Sequence, residues 1–218
     1  MQHLSGGSAG PGSAGGGAFR PGARRRGALV LGTLGAVAVA VAPGAAAPSI
    51  AQRVLRPADV PGSRLFTPPP RPLTLAVYVR ATESALTSGA QARAKATLSA
   101  AGFRVGSHVV LSGPGNRATA ASAIQLGSAA KSADVVAYQL RWVGSLSPDT
   151  SEQVTPLASL PQGKLVRLVS RRTAQRGWAV VFARGAGVYT AAVVEGKGNV
   201  SRDEAIALAR KMFARAGG

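Results

Sequence analysis

The chain contains no cysteine. That absence removes disulfide frameworks, thiolate zinc sites, iron–sulfur clusters and cysteine nucleophiles at once. Histidine is almost as scarce, with only His3 and His108 present. Any Ser-His-Asp chemistry in the body of the chain therefore rests on His108 alone. Acidic residues number 8 against 26 Lys and Arg, a formal net charge of +18. Aromatic residues make up only 5% of a chain that is 46% apolar. The apolar content is carried by Ala, Val and Leu, which suits a folded domain with a small-residue core rather than a disordered chain.

The N-terminal quarter reads as a tail followed by targeting sequence. Residues 1–23 are rich in Gly, Ser and Ala and hold too little apolar area to offset the entropy of ordering, so a disordered tail is expected. Arg24, Arg25 and Arg26 then precede an apolar run of 15 uncharged residues, Ala28 to Ala42, closed by Pro43-Gly44 and Ala45-Ala46-Ala47. A positive region, an apolar region and a small-residue stretch in this order make a secretory signal, assigned here to residues 24–51. As a helix the run spans roughly 22 Å, short of the ~30 Å bilayer core, which favours cleavage after Ala46 or Ala51 over a permanent anchor. The twin arginines fit a twin-arginine signal loosely. Either an uncleaved anchor or a cut leaves the remainder outside, because the arginines stay inside. All 8 acidic residues lie beyond Ala47, and only four of the 26 basic ones precede it, so the exported part stays strongly cationic.

Residues 52–72 carry many of the 14 prolines, including Pro68-Pro69-Pro70, and read as a Pro-rich linker with one helical turn near Ile50 to Leu55. Residues 73–218 form the expected domain. Within it, strands are expected at Leu73–Val79, Arg104–Leu111, Thr119–Leu126, Lys164–Ser170, Gly177–Ala183 and Val188–Glu195. Helices are expected over Gly89–Ala101, stopped by Gly102, and over Ser128–Trp142. Gly144 to Gly163 reads as a mobile connection, and Arg184-Gly185-Ala186-Gly187 as a hairpin turn. Ser201-Arg202-Asp203-Glu204 matches a capping box, and Ile206, Ala209 and Phe213 repeat at helical spacing behind it. The fold class is α+β, an antiparallel sheet packed by helices.

Several short pieces resemble secreted actinobacterial proteins of the PsbP-like α/β/α sandwich fold, including LpqN-type and extracellular sensor-like domains. They are Leu55 to Gly62, Ala101-Gly102-Phe103, Gly127 to Ala130, Leu160-Pro161, and Trp178 through Tyr189 followed by the final helix. The resemblance implies a binding role without catalytic machinery. It departs at the lipid-anchor cysteine, which this chain lacks.

Candidate chemistry is sparse. Gly113-Pro114-Gly115-Asn116-Arg117-Ala118 nominally fits a phosphate-binding turn, yet Pro114 stiffens it and no acid ends a second strand, so hairpin glycines are the better reading. His108 has no acidic residue within twenty positions, which favours an ordinary strand histidine over a catalytic one. No ligand spacing supports a metal, so catalytic, metal and cofactor residues are all expected to be absent. Asp149 and Glu152 form the one close acidic pair in a loop. The window Gln153 to Val194 is free of acids but holds Lys164, Arg167, Arg171, Arg172 and Arg176, the candidate anion-binding set. An exported domain meets anionic lipid head groups and cell-wall polymers, so an anionic envelope component is the expected partner. Nucleic acid is disfavoured because Tyr138, Trp142, Trp178, Phe182 and Tyr189 lie on segments whose periodicity suits core packing. Arg outnumbers Lys strongly, so composition alone accounts for part of the charge. Two alternatives stay open: a small-ligand or lipid carrier with a cavity lined by Ala191, Ala192 and Ala207, and a hydrolase built around His108.

Overall fold

The computed structural model describes residues 49–83, 87–145, 150–170, 175–196 and 200–217. The expected tail and signal apolar run lie outside them, as do Arg171, Arg172 and Asp149. The element order is α1 (Ser49–Gln52), β1 (Arg64–Leu65), α2 (Leu75–Thr82), α3 (Ser88–Ala100), β2 (Phe103–Gly113), β3 (Arg117–Leu126), α4 (Ser132–Ser145), β4 (Thr150–Pro156), β5 (Lys164–Ser170), β6 (Arg176–Arg184), β7 (Gly187–Glu195) and α5 (Arg202–Arg215). The strands form one sheet in the order β1-β2-β3-β7-β6-β5-β4, and every neighbouring pair is antiparallel.

Alternate residues on each strand feed two separate cores, as the pleat requires. Val109, Leu111, Ala121, Ala123, Val180, Phe182, Tyr189, Ala191 and Val193 face a layer made by α1, the chain around Val60, and α5. Ile124, Leu126, Val166, Leu168, Ala179, Val181, Ala183 and Val188 face the layer made by α2, α3 and α4. The result is an α/β/α sandwich. β4 is the edge strand on one side, where its closing Pro156 is tolerated because no further strand needs its missing N–H.

Three expectations are corrected by the structure. Leu73–Val79 is not a strand: α2 begins at Leu75 and buries Tyr78 and Val79. Leu75, Tyr78 and Val79 fall at helical spacing, and Gly106 on β2 admits the Tyr78 ring, since a Cβ there would stand 2.4 Å from Tyr78 Cδ2. The connection expected over 144–163 contains strand β4. The linker expected over 52–72 is part of the folded body up to Thr67. Val54, Leu55 and Val60 are buried in the α5 layer beside Ile50 of α1, which lies in the segment assigned to the signal.

Local chemistry explains the elements that were anticipated. Gly102 ends α3 at φ +77°, a left-handed conformation that costs glycine little. The β6–β7 hairpin turns on Gly185 at φ +56°. Ser201 Oγ accepts from the Glu204 N–H at 3.1 Å and caps α5. Only half of the capping box forms, because the Glu204 carboxylate pairs with Arg117 on β3.

Candidate functional site

Strand parity divides the expected anion-binding set. Lys164 and Arg167 are three residues apart on β5 and so point to opposite faces of the sheet. Lys164, half-buried, shares the face of Val166 and Leu168 beneath the α4 layer. Arg167 and Arg176 share the other face. Arg167 stands opposite Trp178, and Arg176 opposite both Val169 on β5 and Glu195 on β7. That makes the two arginines diagonal neighbours on adjacent strands, about 7 Å apart by sheet geometry, and both are exposed. A diagonal pair of guanidiniums with Trp178 beside it suits a planar or tetrahedral anion, which relieves their mutual repulsion and accepts paired hydrogen bonds. Of the five residues in the expected set, this pair is what the described structure brings together.

The surrounding charge favours anions. Exposed Lys and Arg occur from Arg56 to Lys211, whereas Asp134 and Asp203 are the exposed acids among the described residues. Asp134 pairs with Lys131, and Glu204 pairs with Arg117. Asp59 is buried and held by both nitrogens of the Arg215 fork, at 2.8 and 2.6 Å, and by the Arg56 N–H at 2.7 Å. Burial works to raise the Asp59 pKa, but the Arg215 fork, the Arg56 amide and the charges of Arg215 and Lys211 outweigh it and hold the carboxyl below its ordinary value. Few acids are thus left facing solvent without a partner, and among the described residues most exposed cations make no ion pair.

A second polar constellation lies on the opposite face, and it was not anticipated. The register aligns His108, Ser122, Thr190, Val181 and Lys164 in one row across β2, β3, β7, β6 and β5. Over this row, Thr190 Oγ1 donates to Gln139 Oε1 at 3.3 Å, and Gln139 Nε2 donates to Tyr78 Oη at 3.5 Å. Ser122 also hydrogen-bonds Tyr78. Tyr78, Ser122, Gln139 and Thr190 are all buried. Burial, opposed by the bonds from Ser122 and Gln139 and aided by the Glu83 charge, drives the Tyr78 hydroxyl above its ordinary pKa, so it stays neutral.

Two titratable groups flank this network. Glu83 ends α2, is 3% exposed and has its pKa pushed up to about 7 by burial. His108 is half-buried, and the protein packed around it lowers its pKa, favouring neutral imidazole. Among the described residues no hydrogen bond joins the His108 ring to a carboxylate, and no group of three His, Asp or Glu gathers in a way that would hold a metal. Ala191 and Ala192 face opposite layers of the sheet, and Ala207 is exposed on α5, so these three do not line one space. A sequence signal for the network existed: Val135, Gln139 and Val143 repeat every four residues on α4, which places Gln139 on the buried stripe.

No family model and no curated protein matches the chain. Among solved structures it is similar to the extracellular domain of PknH from Mycobacterium tuberculosis, at 11% identity and a TM-score of 0.52, covering 77% of this chain and 94% of that one. At that identity the likeness is one of fold. No helix of the described residues is long and apolar enough to cross a membrane.

Proposed function

We propose that the chain is an exported, non-catalytic binding module that associates with anionic envelope material, lipid head groups or cell-wall polymer, through its basic surface. The observation that carries this reading is the charge asymmetry of the fold: among the described residues Asp59 and Glu83 are buried and Asp134 and Glu204 are ion-paired, while exposed cations run from Arg56 to Lys211. Each basic residue near an anionic membrane contributes on the order of 1 kcal/mol, screened by salt. Arg167 and Arg176 are the contact pair. The apolar run after Arg24-Arg25-Arg26 supports export, and the fold shared with an extracellular mycobacterial domain agrees with it. Replacing Arg167 and Arg176 by Glu together should weaken binding to anionic vesicles at least tenfold while the thermal midpoint stays within a few degrees. Unchanged vesicle binding would remove the pair from the site.

A small-ligand carrier is the second reading, favoured by one observation: the Tyr78, Ser122, Gln139 and Thr190 groups cluster between the sheet and its helices, where a polar cargo head group would find partners. Native mass spectrometry of the protein from its host distinguishes the two. A defined adduct supports a carrier, and bare protein counts against it.

A further inference from the structure

The proline tract Pro68-Pro69-Pro70-Arg71-Pro72 was expected to be a linker, but the structure ties it down at both ends. Phe66 N–H and Thr67 N–H donate to the Val110 carbonyl of β2, and Thr67 Oγ1 accepts from Val110 N–H at 3.0 Å. Beyond the tract, Leu73 exchanges both backbone hydrogen bonds with Gly106 of the same strand, at 2.8 and 3.1 Å. Thr67 and Leu73 are six residues apart and bracket a stretch of β2 only four residues long. In a polyproline II conformation the six residues span roughly 19 Å. The bracketed strand spans roughly 13 Å. The tract is therefore too long to lie along the edge and must bow away from it as an arch. Among the described residues no backbone hydrogen bond joins the arch to His108, the β2 residue it passes.

Elementary sterics stiffen the arch beyond the bend that the chain makes at Phe66, Thr67 and Pro68. Proline sets its own φ near −65°, and each residue before a proline is pushed to extended or polyproline II backbone. Thr67, Pro68, Pro69 and Arg71 all precede a proline, so almost every ψ in the tract is biased the same way. The prolines have no N–H to offer a neighbouring strand, so the arch cannot be extended by sheet pairing. What it offers is a stiff row of rings and carbonyls. Pro68, Pro69 and Arg71 are exposed, and Phe66, at the foot of the arch, is 57% exposed. Arg64 and Arg71 flank the row, exposed, with no ion pair among the described residues.

We propose that Phe66–Pro72 is a recognition strap for a protein partner that presents an aromatic-lined, proline-accepting groove with acidic residues at its rim. The aromatic groove answers the rings of Pro68 and Pro69 and the Phe66 side chain, and rim carboxylates answer Arg64 and Arg71. Because the strap is already held in shape, little chain entropy is lost when it docks. A membrane is the poorer occupant. Phe66 sits at the anchored foot of the arch, where its N–H is bonded to β2, and the arch's crown carries only small rings.

The test titrates the full chain into a panel of isolated, labelled domains of the proline-binding SH3 and WW types, with anionic vesicles as a parallel probe. The proposal expects saturable binding to at least one domain, weakened at least tenfold by Phe66→Ser and by Pro69→Ala, and unchanged by Arg167→Glu with Arg176→Glu. Both strap substitutions are at exposed positions, and retained thermal midpoints show that loss of binding is not loss of fold. Binding to no domain in the panel, binding that survives both strap substitutions, or a strap that responds only to vesicles would overturn it. Failure of the strap leaves the basic-surface reading intact, since that reading is measured on vesicles with Arg167 and Arg176.

Discussion

The two faces of the sheet solve the same burial problem differently. The face under α1 and α5 is sealed by apolar side chains such as Ile50, Leu55, Leu111 and Phe182, with Tyr189 stacked on Phe182 at 5.1 Å between centroids. Its charged groups stay at the margin, where Arg215 holds Asp59 and Arg53 donates to Tyr189 Oη and Gln125 Oε1. The face under α2, α3 and α4 instead buries a hydrogen-bonded chain of side chains in its middle, with Glu83 and His108 beside it. One face is built to hold the domain together by area. The other makes polar groups depend on one another, and each of its members is costly to leave unpaired.

The comparison breaks most readily at Ile50. Because this residue is fully buried, Ile50→Ala should cost about 2–5 kcal/mol. A chain beginning at Gln52 should lose a comparable amount against one beginning at Ala47, as read by chemical denaturation. Equal stabilities would mean that α1 adds nothing to the α5 face. Next in size is Gln139→Ala, which strands the Thr190 hydroxyl, leaves Ser122 as the remaining partner of Tyr78, and should cost about 2 kcal/mol. Gln139→Leu combined with Thr190→Val should cost less than the sum of the separate changes, because the pair is removed together. Additive costs would argue that the network is not a unit.

The smallest effect, and the sharpest, is in pH. Glu83 has a folded pKa raised to about 7 from an ordinary 4.5, so the folded state holds its proton more tightly. Its contribution is fully present below pH 4.5 and is lost as pH rises through about 7. Glu83→Gln should therefore stabilise the protein at pH 8, on the order of 1–2 kcal/mol, with the gain vanishing near pH 4.5. His108 acts in the opposite sense, since its lowered pKa removes stability as pH falls below its ordinary 6.5. Thermal midpoints measured across pH 4 to 8 separate the two. A Glu83→Gln advantage that does not change with pH would place the carboxylate in solvent.

Much of the sheet could be read from the chain because its strands advertise themselves. Lys164–Ser170, Gly177–Ala183 and Val188–Glu195 are β-rich runs separated by turn residues, and the structure pairs them as neighbours. The final helix was legible from Ser201 and the spacing behind it. Leu73–Val79 misled because its β-branched and aromatic residues fit two periods, and the tertiary slot at Gly106 decided for the helix. The basic set was legible as composition but not as a site. Strand parity alone separates Lys164 from Arg167, yet the pairing of Arg167 with Arg176 needs the register of β5 on β6. The polar row needed more still, since His108, Ser122 and Thr190 come from three strands that only the fold aligns.

The central claim, that the basic surface takes anionic envelope material, is tested most directly by co-sedimenting the full chain with anionic and with neutral vesicles over a salt gradient, with duplex DNA as a third surface. Binding to anionic vesicles should fade steeply as salt rises, binding to neutral vesicles should be weak, and replacing Arg167 and Arg176 by Glu should abolish the anionic preference. Equal affinity for neutral and anionic vesicles, or tighter binding to DNA than to either, would contradict it.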